Sequence, residues 1–199
     1  MFYSFACLVV RFIFRLLFKV EIIGAEKIPN GKGFIVAPNH LSNLDPPLLG
    51  AFLPVKMGYM AKEELFKVPL FGRLIRSLGA FPVKRGGRDV AAVRSAVERL
   101  REGGCVVIFP EGRRSRTPGV LGEGKQGAAM IAAHAKVGIL PVGISATYRF
   151  RSRVTVRVGD LIEFPDKEER VSAADIRSLT NEILMPQIAC LAGAKTYGN

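Results

Sequence analysis

The sequence predicts an α/β fold, with a mostly parallel or mixed central sheet flanked by helices. Three observations predict it. Short apolar runs alternate with helical patterns along the chain, hydrophobic residues make up 49% of the 199 residues against 23% charged ones, and no Pro-, Gly- or Ser-rich linker divides them. This composition excludes a disordered chain, and the length is sufficient to bury one hydrophobic core.

Residues 1–20 predict an N-terminal amphipathic helix. Its polar side chains fall within an arc of roughly 80° on a helical wheel, and they are Ser4, Arg11, Arg15 and Lys19. The longest uncharged stretch, residues 1–10, is about half of what a transmembrane helix needs. A secretory signal would carry its positive charge before the apolar region. We therefore expect a membrane-contacting helix in the headgroup plane, with its basic stripe toward lipid phosphates; the alternative is a buried helix with snorkelling arginines.

The remaining elements follow from apolar periodicity and from turn residues. The expected strands cover residues 33–37, 56–60, 80–83, 105–109, 139–144 and 154–158. The expected helices cover residues 46–52, 65–78, 89–101, 124–136 and 173–191. The helix over 89–101 has Asp89 as a candidate cap and glycines 103 and 104 as its end. We read residues 1–20 as the interfacial helix and residues 21–199 as a single domain.

Charge and cysteine content narrow the class of partner. The chain has 29 Lys and Arg against 17 Asp and Glu, a net charge of +12. An excess of this size favours an anionic partner: nucleic acid, a membrane surface or a phosphorylated substrate. The three cysteines are odd in number and far apart, which argues against a disulfide framework or a zinc cluster and favours a reducing compartment.

A first polar cluster directly follows the expected strand 33–37, and it contains His40 and Asp45. An imidazole takes a proton from an alcohol most readily when a carboxylate fixes its tautomer and stabilises the cation. Asp45 lies five residues after His40, so the two side chains meet only if a turn intervenes. The alternative is that Asp45 caps a helix with Pro46 at its first position.

A second polar cluster follows the expected strand 105–109. Here Arg113, Arg114 and Arg116 occupy three of four consecutive positions. Their charges repel one another unless an anion lies among them, and the arginine fork suits phosphate. The cluster thus predicts a phosphate pocket, in which Glu111 holds an arginine or accepts a hydrogen bond from a substrate hydroxyl. The alternative is a solvated basic loop.

Together these motifs resemble those of the 1-acylglycerol-3-phosphate acyltransferases, also called lysophosphatidic acid acyltransferases. The resemblance rests on His40-x4-Asp45 followed by Phe-Pro-Glu-Gly-x-Arg-Ser at 109–115. Residues 79–85 and 140–143 are similar to two further family blocks, so the likeness covers about residues 20 to 160. One position departs from the family pattern, because Arg113 stands where threonine usually follows Glu-Gly.

The resemblance implies acyl transfer from acyl-CoA or acyl-carrier protein to the 2-hydroxyl of 1-acylglycerol 3-phosphate, making phosphatidic acid in phospholipid biosynthesis. It implies His40 as general base and Asp45 as the group that orients it. The residues that the resemblance places at the substrate are Glu111, Arg114, Arg85 and Lys62. From their positions alone we add Arg113 as a phosphate contact and the Gly112 N–H as a donor to the thioester oxygen. No metal and no resident cofactor are expected.

Each alternative function would require particular sequence features. A related acyltransferase acting on glycerol 3-phosphate or a lyso-aminolipid would keep the same base and aspartate. A serine hydrolase would need a second glycine after Ser145, which is missing. A basic nucleic-acid-binding module would carry aromatic platforms, whereas many aromatics here crowd into residues 1–20. We expect a peripheral or monotopic enzyme on the cytoplasmic face, with anionic lipids, lysophosphatidic acid and an acyl thioester as partners and no nucleic acid.

Overall fold

The structure is a computed structural model that describes residues 2–83, 89–115, 117, 119–163 and 171–197. The α-helices are α1 (Phe2–Leu17), α2 (Asp45–Phe52), α3 (Phe71–Ser77), α4 (Val90–Arg101), α5 (Gly127–Ala135), α6 (Ala173–Ser178) and α7 (Met185–Ala192). The strands are β1 (Lys19–Ile23), β2 (Phe34–Pro38), β3 (Met57–Lys62), β4 (Ala80–Val83), β5 (Cys105–Val107), β6 (Gly138–Ala146) and β7 (Arg153–Val158). A π-helical turn over Leu179–Leu184 joins α6 to α7.

The strands form one sheet in the order β1-β7-β6-β2-β5-β3-β4. Every neighbouring pair is parallel except β6 and β7, which run antiparallel. The predicted α/β fold with a mostly parallel sheet is therefore confirmed. Since β2 to β6 all run in one direction, their carboxyl ends meet at a single edge, where α/β folds bind their ligands.

The sheet separates two cores because successive side chains of a strand point to opposite faces. Val36, Val107 and Leu140 face a core that α1 and α2 cover. Their neighbours Ile35, Val106 and Ile139 face a second core, which α4, α5 and α7 cover. These strands are buried on both faces, which is why they read as continuous apolar runs in the sequence.

The N-terminal segment differs from the expectation in two ways. The helix ends at Leu17, and β1 begins at Lys19, so the expected helix boundary at residue 20 falls inside a strand. This edge strand pairs only with β7 among the described residues, and its sequence alternates too briefly to predict a strand. Phe14 and Phe18 are buried against α2 and the sheet, so α1 is packed onto the domain.

Two other expected helices are interrupted in the structure, each near a proline. The expected helix 65–78 is split into a 3₁₀ turn at Glu63–Lys67 and the short α3. Pro69 between them lacks an N–H and disfavours helical geometry in the residue before it, and Leu70 has a φ of 62°. The expected helix 173–191 is found as α6, the π-helical turn and α7; the π-helical turn lies just before Pro186, which has no N–H to donate.

Within the described part of the chain, no helix combines the length and the apolar character needed to cross a bilayer.

Candidate active site

Three loops converge at the edge where the parallel strands end. The loop after β2 carries His40, the loop after β5 spans residues 108–115, and the segment after β6 carries Tyr148. Hydrogen bonds connect them directly: the N–H of Ser115 donates to the carbonyl of His40 at 2.8 Å, and the hydroxyl of Tyr148 reaches Asp45. The fold thus brings together segments that are up to about a hundred residues apart.

His40 and Asp45 form a hydrogen-bonded pair. Nδ1 of His40 lies 2.8 Å from Oδ2 of Asp45, and the Asp45 side chain is 0% exposed. The turn that the five-residue spacing requires is present, since the N–H of Asp45 donates to the carbonyl of Ser42 at 3.1 Å. The same Oδ2 also accepts the N–H groups of Leu41 and Ser42, each at 2.7 Å. These donors stabilise a buried carboxylate.

The alternative role of Asp45 as a helix cap is wrong. Leu44 occupies the N-cap position of α2, which has no side-chain cap hydrogen bond. The Asp45 carboxylate instead points back to the turn that precedes the helix. Pro46 does lie in the first turn of α2, where its missing N–H costs nothing.

The His40 ring is oriented for proton transfer through its other nitrogen. Because Nδ1 is bonded to Asp45, Nε2 is the atom left to take a proton. The ring stacks on Phe109 with centroids 4.0 Å apart and planes inclined by 27°. The side chain is 14% exposed, so it is largely desolvated and still reachable from outside.

Glu111 is buried, and its carboxylate contacts main chain. Its Oε1 accepts the N–H of His40 at 2.7 Å, and its Oε2 accepts the N–H of Gly122 at 2.6 Å. Burial raises the pKa of this carboxyl, while the two N–H donors oppose the shift. The expected role of Glu111, which is to hold an arginine or to accept a hydrogen bond from a substrate hydroxyl, stays a prediction. The structure adds a second role, because this carboxylate also holds the backbone of His40.

Gly112 differs from expectation as well. Its N–H donates to the carbonyl of Phe109 at 3.0 Å, so it closes the turn after β5 and does not point freely toward a developing oxyanion. Its φ of 66° lies in the left-handed region that favours glycine. Gly112 therefore allows the tight turn in the loop that carries the arginines.

The basic side chains lie at the same edge of the sheet. Arg113 and Arg114 are exposed in the loop after β5, and Lys62 is exposed at the end of β3. Lys125, which hydrogen-bonds Glu123, lowers the pKa of Glu123, and Arg113 adds to this effect. Arg85, expected at the substrate, lies outside the described residues. The exposed basic side chains among the described residues make this edge of the sheet favourable for binding an anion.

Two residues at the site had no role in the sequence-based prediction. Asn39 is buried and bonds both main-chain groups of Ile144 on β6, at 3.0 and 2.6 Å. The hydroxyl of Tyr148 donates to Oδ1 of Asp45 at 2.5 Å. Asn39 directly precedes His40, and this adjacency could have marked it as a candidate site residue in the sequence. Tyr148 lies 103 residues from Asp45, and no local pattern links them.

Comparison with protein families places the site within a known family model. The chain matches the family model described as Acyltransferase over residues 19–145. This range contains His40, Asp45 and the whole loop after β5.

The proteins that are similar to the chain include two named relatives and one solved structure. The 1-acyl-sn-glycerol-3-phosphate acyltransferase of Bacillus subtilis is 33% identical over 140 residues, 70% of this chain and 69% of that protein. The protein of the same name from Streptococcus pneumoniae is 30% identical over 192 residues, 92% of this chain and 70% of that protein. The crystal structure of the 1-acyl-sn-glycerophosphate acyltransferase from Thermotoga maritima has a TM-score of 0.77 and 29% identity, covering 95% of this chain and 79% of that one.

Proposed function

The chain belongs to the acyltransferase family, and from this we propose that it transfers a fatty acyl group from a thioester to the 2-hydroxyl of 1-acylglycerol 3-phosphate, making phosphatidic acid. The donor is acyl-CoA or acyl-carrier protein, and the reaction is a step of phospholipid biosynthesis. The names of the relatives support the acceptor. The main observation that supports the proposal is the 2.8 Å hydrogen bond between His40 and the buried Asp45, beside an arginine-bearing loop.

Proton transfer to His40 is the chemical centre of the proposal. An alcohol is a weak nucleophile at neutral pH, and a positioned base contributes about 10²–10⁴-fold to the rate. Nε2 of His40 takes the hydroxyl proton as the oxygen attacks the thioester carbonyl carbon. The tetrahedral intermediate then expels the thiolate, which receives the proton back from His40. Asp45 keeps the ring in the required tautomer and stabilises the imidazolium.

The positive edge of the sheet is proposed to hold the acceptor phosphate. Arg113 and Arg114 follow the strand whose loop also fixes His40. A phosphate bound there would place the glycerol backbone near the dyad, which is the orientation effect that accelerates a two-substrate reaction. We assign Lys62 and Arg85 to the same headgroup, and Glu111 to positioning of the base. No resident cofactor is needed because the thioester is already activated.

Helix α1 is proposed to bind a membrane surface that contains anionic lipids. One side of the helix is apolar and exposed, formed by Phe5, Leu8, Val9, Phe12, Ile13, Leu16 and Leu17. This outward apolar face is what an interfacial helix buries in the headgroup and acyl boundary. The basic stripe lies differently from our expectation, since Nε of Arg11 donates to the carbonyl of Ala51 at 2.9 Å. Arg15 and Lys19 are exposed and remain available to lipid phosphates.

We place the enzyme peripherally on the cytoplasmic face of this membrane. The lysolipid acceptor lies in the bilayer, whereas the thioester donor arrives from the aqueous side, so the active site must work at their interface. The odd number and wide spacing of the three cysteines, which favour a reducing compartment, support this placement.

A direct assay tests the function. Purified protein is incubated with 1-acylglycerol 3-phosphate, 1-acylglycerol or glycerol 3-phosphate, each with acyl-CoA and with acyl-carrier protein, and the lipid products are identified by mass spectrometry. We expect phosphatidic acid from the first acceptor, and a loss of about 10²–10⁴-fold in kcat for His40→Ala.

The exposed His134, whose Nδ1 contacts the carbonyl of Met130 at 2.8 Å, supplies the matched control His134→Ala, which should retain full activity. Equal turnover of 1-acylglycerol and 1-acylglycerol 3-phosphate would contradict the phosphate-binding part of the proposal. An active His40→Ala variant would contradict the mechanism.

A further inference from the structure

Tyr148 occupies the oxygen of Asp45 that His40 does not use. Oδ2 of Asp45 accepts the His40 ring and two backbone N–H groups, whereas Oδ1 accepts the Tyr148 hydroxyl at 2.5 Å. The two oxygens of this buried carboxylate are thereby both bonded. A buried carboxylate oxygen without a donor would carry a large desolvation cost.

The loop that carries Tyr148 is itself held in place. The Tyr148 backbone has a φ of 52°, which turns the chain after β6. Its ring packs edge-on against Phe18, with centroids 5.7 Å apart and planes at 78°. On the same loop, the N–H of Arg151 donates to the carbonyl of Leu17 at 2.6 Å. The hydroxyl therefore approaches Asp45 from a fixed direction.

The phenol acts here as a hydrogen-bond donor. Burial, followed by the nearby Asp45 charge, raises the pKa of Tyr148 well above its ordinary value. The hydroxyl stays protonated across the working range, so it donates to Asp45 and does not exchange a proton with the substrate.

We propose that Tyr148 is a positioning residue of the acyl-transfer site, which fixes the Asp45 carboxylate so that Oδ2 faces Nδ1 of His40. The expected effect of Tyr148 on the rate of acyl transfer rests on the proposed function. Its expected effect on the orientation and protonation of the His40–Asp45 pair rests on the geometry alone. Tyr148 acts through Asp45 and His40 and contacts neither substrate. It also connects the dyad, through Phe18, to the end of helix α1.

Loss of the hydroxyl should change the protonation of the dyad in one direction. Without its donor at Oδ1, the charged Asp45 is less stabilised, so the His40–Asp45 pair takes up its proton at a higher pH. Glu111 also acts electrostatically on both residues, and the Tyr148→Phe substitution leaves it in place. The acid limb of the pH–rate profile should therefore move to higher pH.

The test measures the His40 ring directly as well as turnover. The imidazole signals of His40 and His134 are followed by NMR across a pH titration in the wild type and in Tyr148→Phe, with His134 as internal reference. We expect the His40 midpoint to move to higher pH in Tyr148→Phe, kcat to fall roughly tenfold, and KM for both substrates to stay within about twofold. Tyr59→Phe is the matched control, because the hydroxyl of this partly buried tyrosine on β3 contacts Met57 and not the dyad.

The second variant, Tyr148→3-fluorotyrosine, keeps the ring and the fold and makes the phenol a stronger donor. It should move the His40 midpoint in the opposite direction, to lower pH. An unchanged midpoint in both variants overturns the proposal, and so does an equal shift in Tyr59→Phe. The NMR titration is independent of enzyme activity. If the wild type were inactive on every acceptor, the proposed function would be wrong, and the titration would still test the role of Tyr148.

Discussion

The backbone N–H of His40 donates to Oε1 of Glu111 at 2.7 Å, although 71 residues separate them in the chain. The carbonyl of His40 accepts the N–H of Ser115 from the same loop. Both main-chain groups of the proposed base are thus fixed by the loop after β5, which also carries the arginines. The proposed base and the proposed phosphate-binding loop are therefore joined directly by hydrogen bonds, so a substitution in either loop should affect both.

Replacing Asp45 with asparagine should reduce kcat by about 10²–10⁴-fold. An amide has a single acceptor oxygen, so it cannot serve both the His40 ring with its neighbouring N–H groups and the Tyr148 hydroxyl. The measurement is steady-state kinetics together with a thermal melt. Asp160→Asn is the control, because Asp160 is exposed and pairs with Lys27. Wild-type kcat in folded Asp45→Asn would refute the assigned role.

Glu111→Gln should destabilise the fold by about 1–3 kcal/mol, since one of the two backbone N–H groups would then face an amide NH₂. Burial raises the pKa of Glu111, so the folded protein binds this proton more tightly than the unfolded chain. The pH-dependent part of its contribution is fully present below the ordinary glutamate pKa and is lost as pH rises through the raised one.

Urea unfolding of wild type and Glu111→Gln, in acidic and in neutral buffer, measures this effect. The wild-type advantage should be larger in acid. Glu98→Gln is the control, because Glu98 is exposed and paired with Arg94, and it should change stability by less than about 1 kcal/mol. An advantage that grows with pH would contradict the buried environment of Glu111.

Arg114→Ala should raise KM for 1-acylglycerol 3-phosphate by roughly tenfold, because a charge-assisted bond to phosphate is lost. The activity toward 1-acylglycerol, which has no phosphate, should not change. Arg113→Ala, assayed in parallel, reports whether the arginine that replaces the family's threonine shares the anion. Arg94→Ala on α4 is the matched exposed control. An equal loss with both acceptors would show that Arg114 acts on the fold instead of the phosphate.

The double variant Phe12→Asp, Leu16→Asp should abolish flotation with anionic liposomes, because it places two charges on the outward apolar face of α1. Phe12 is 69% exposed, so the substitution leaves the core intact. Val90→Asp is the matched control: Val90 is 71% exposed on α4, which covers the opposite face of the sheet. Undiminished flotation of the double variant, or equal loss in Val90→Asp, would be incompatible with a membrane-facing α1.

Much of the fold follows from local pattern. The parallel strands β2, β5 and β6 are apolar on both faces, and α4 carries its own cap in Asp89, whose side chain accepts the N–H of Ala92 at 3.0 Å. Such signals lie within a few residues of one another, so the sequence contains them. Strand β1 was missed because an edge strand depends on what packs beside it. The break in the expected helix 65–78 had a local signal in Pro69, which disfavours a continuous helix.

The candidate active site also combines features that local sequence predicted with features that only the tertiary structure shows. The residue types and their spacing predicted His40, Asp45 and the arginine-bearing loop, because a base needs a carboxylate and clustered arginines need an anion. The tertiary structure decided the partners: Glu111 on the backbone of His40, Asn39 on β6, and Tyr148 on the second oxygen of Asp45. These contacts join segments far apart in sequence, and only the assembly of the sheet, which places the ends of β2, β5 and β6 side by side, brings their atoms within hydrogen-bonding distance.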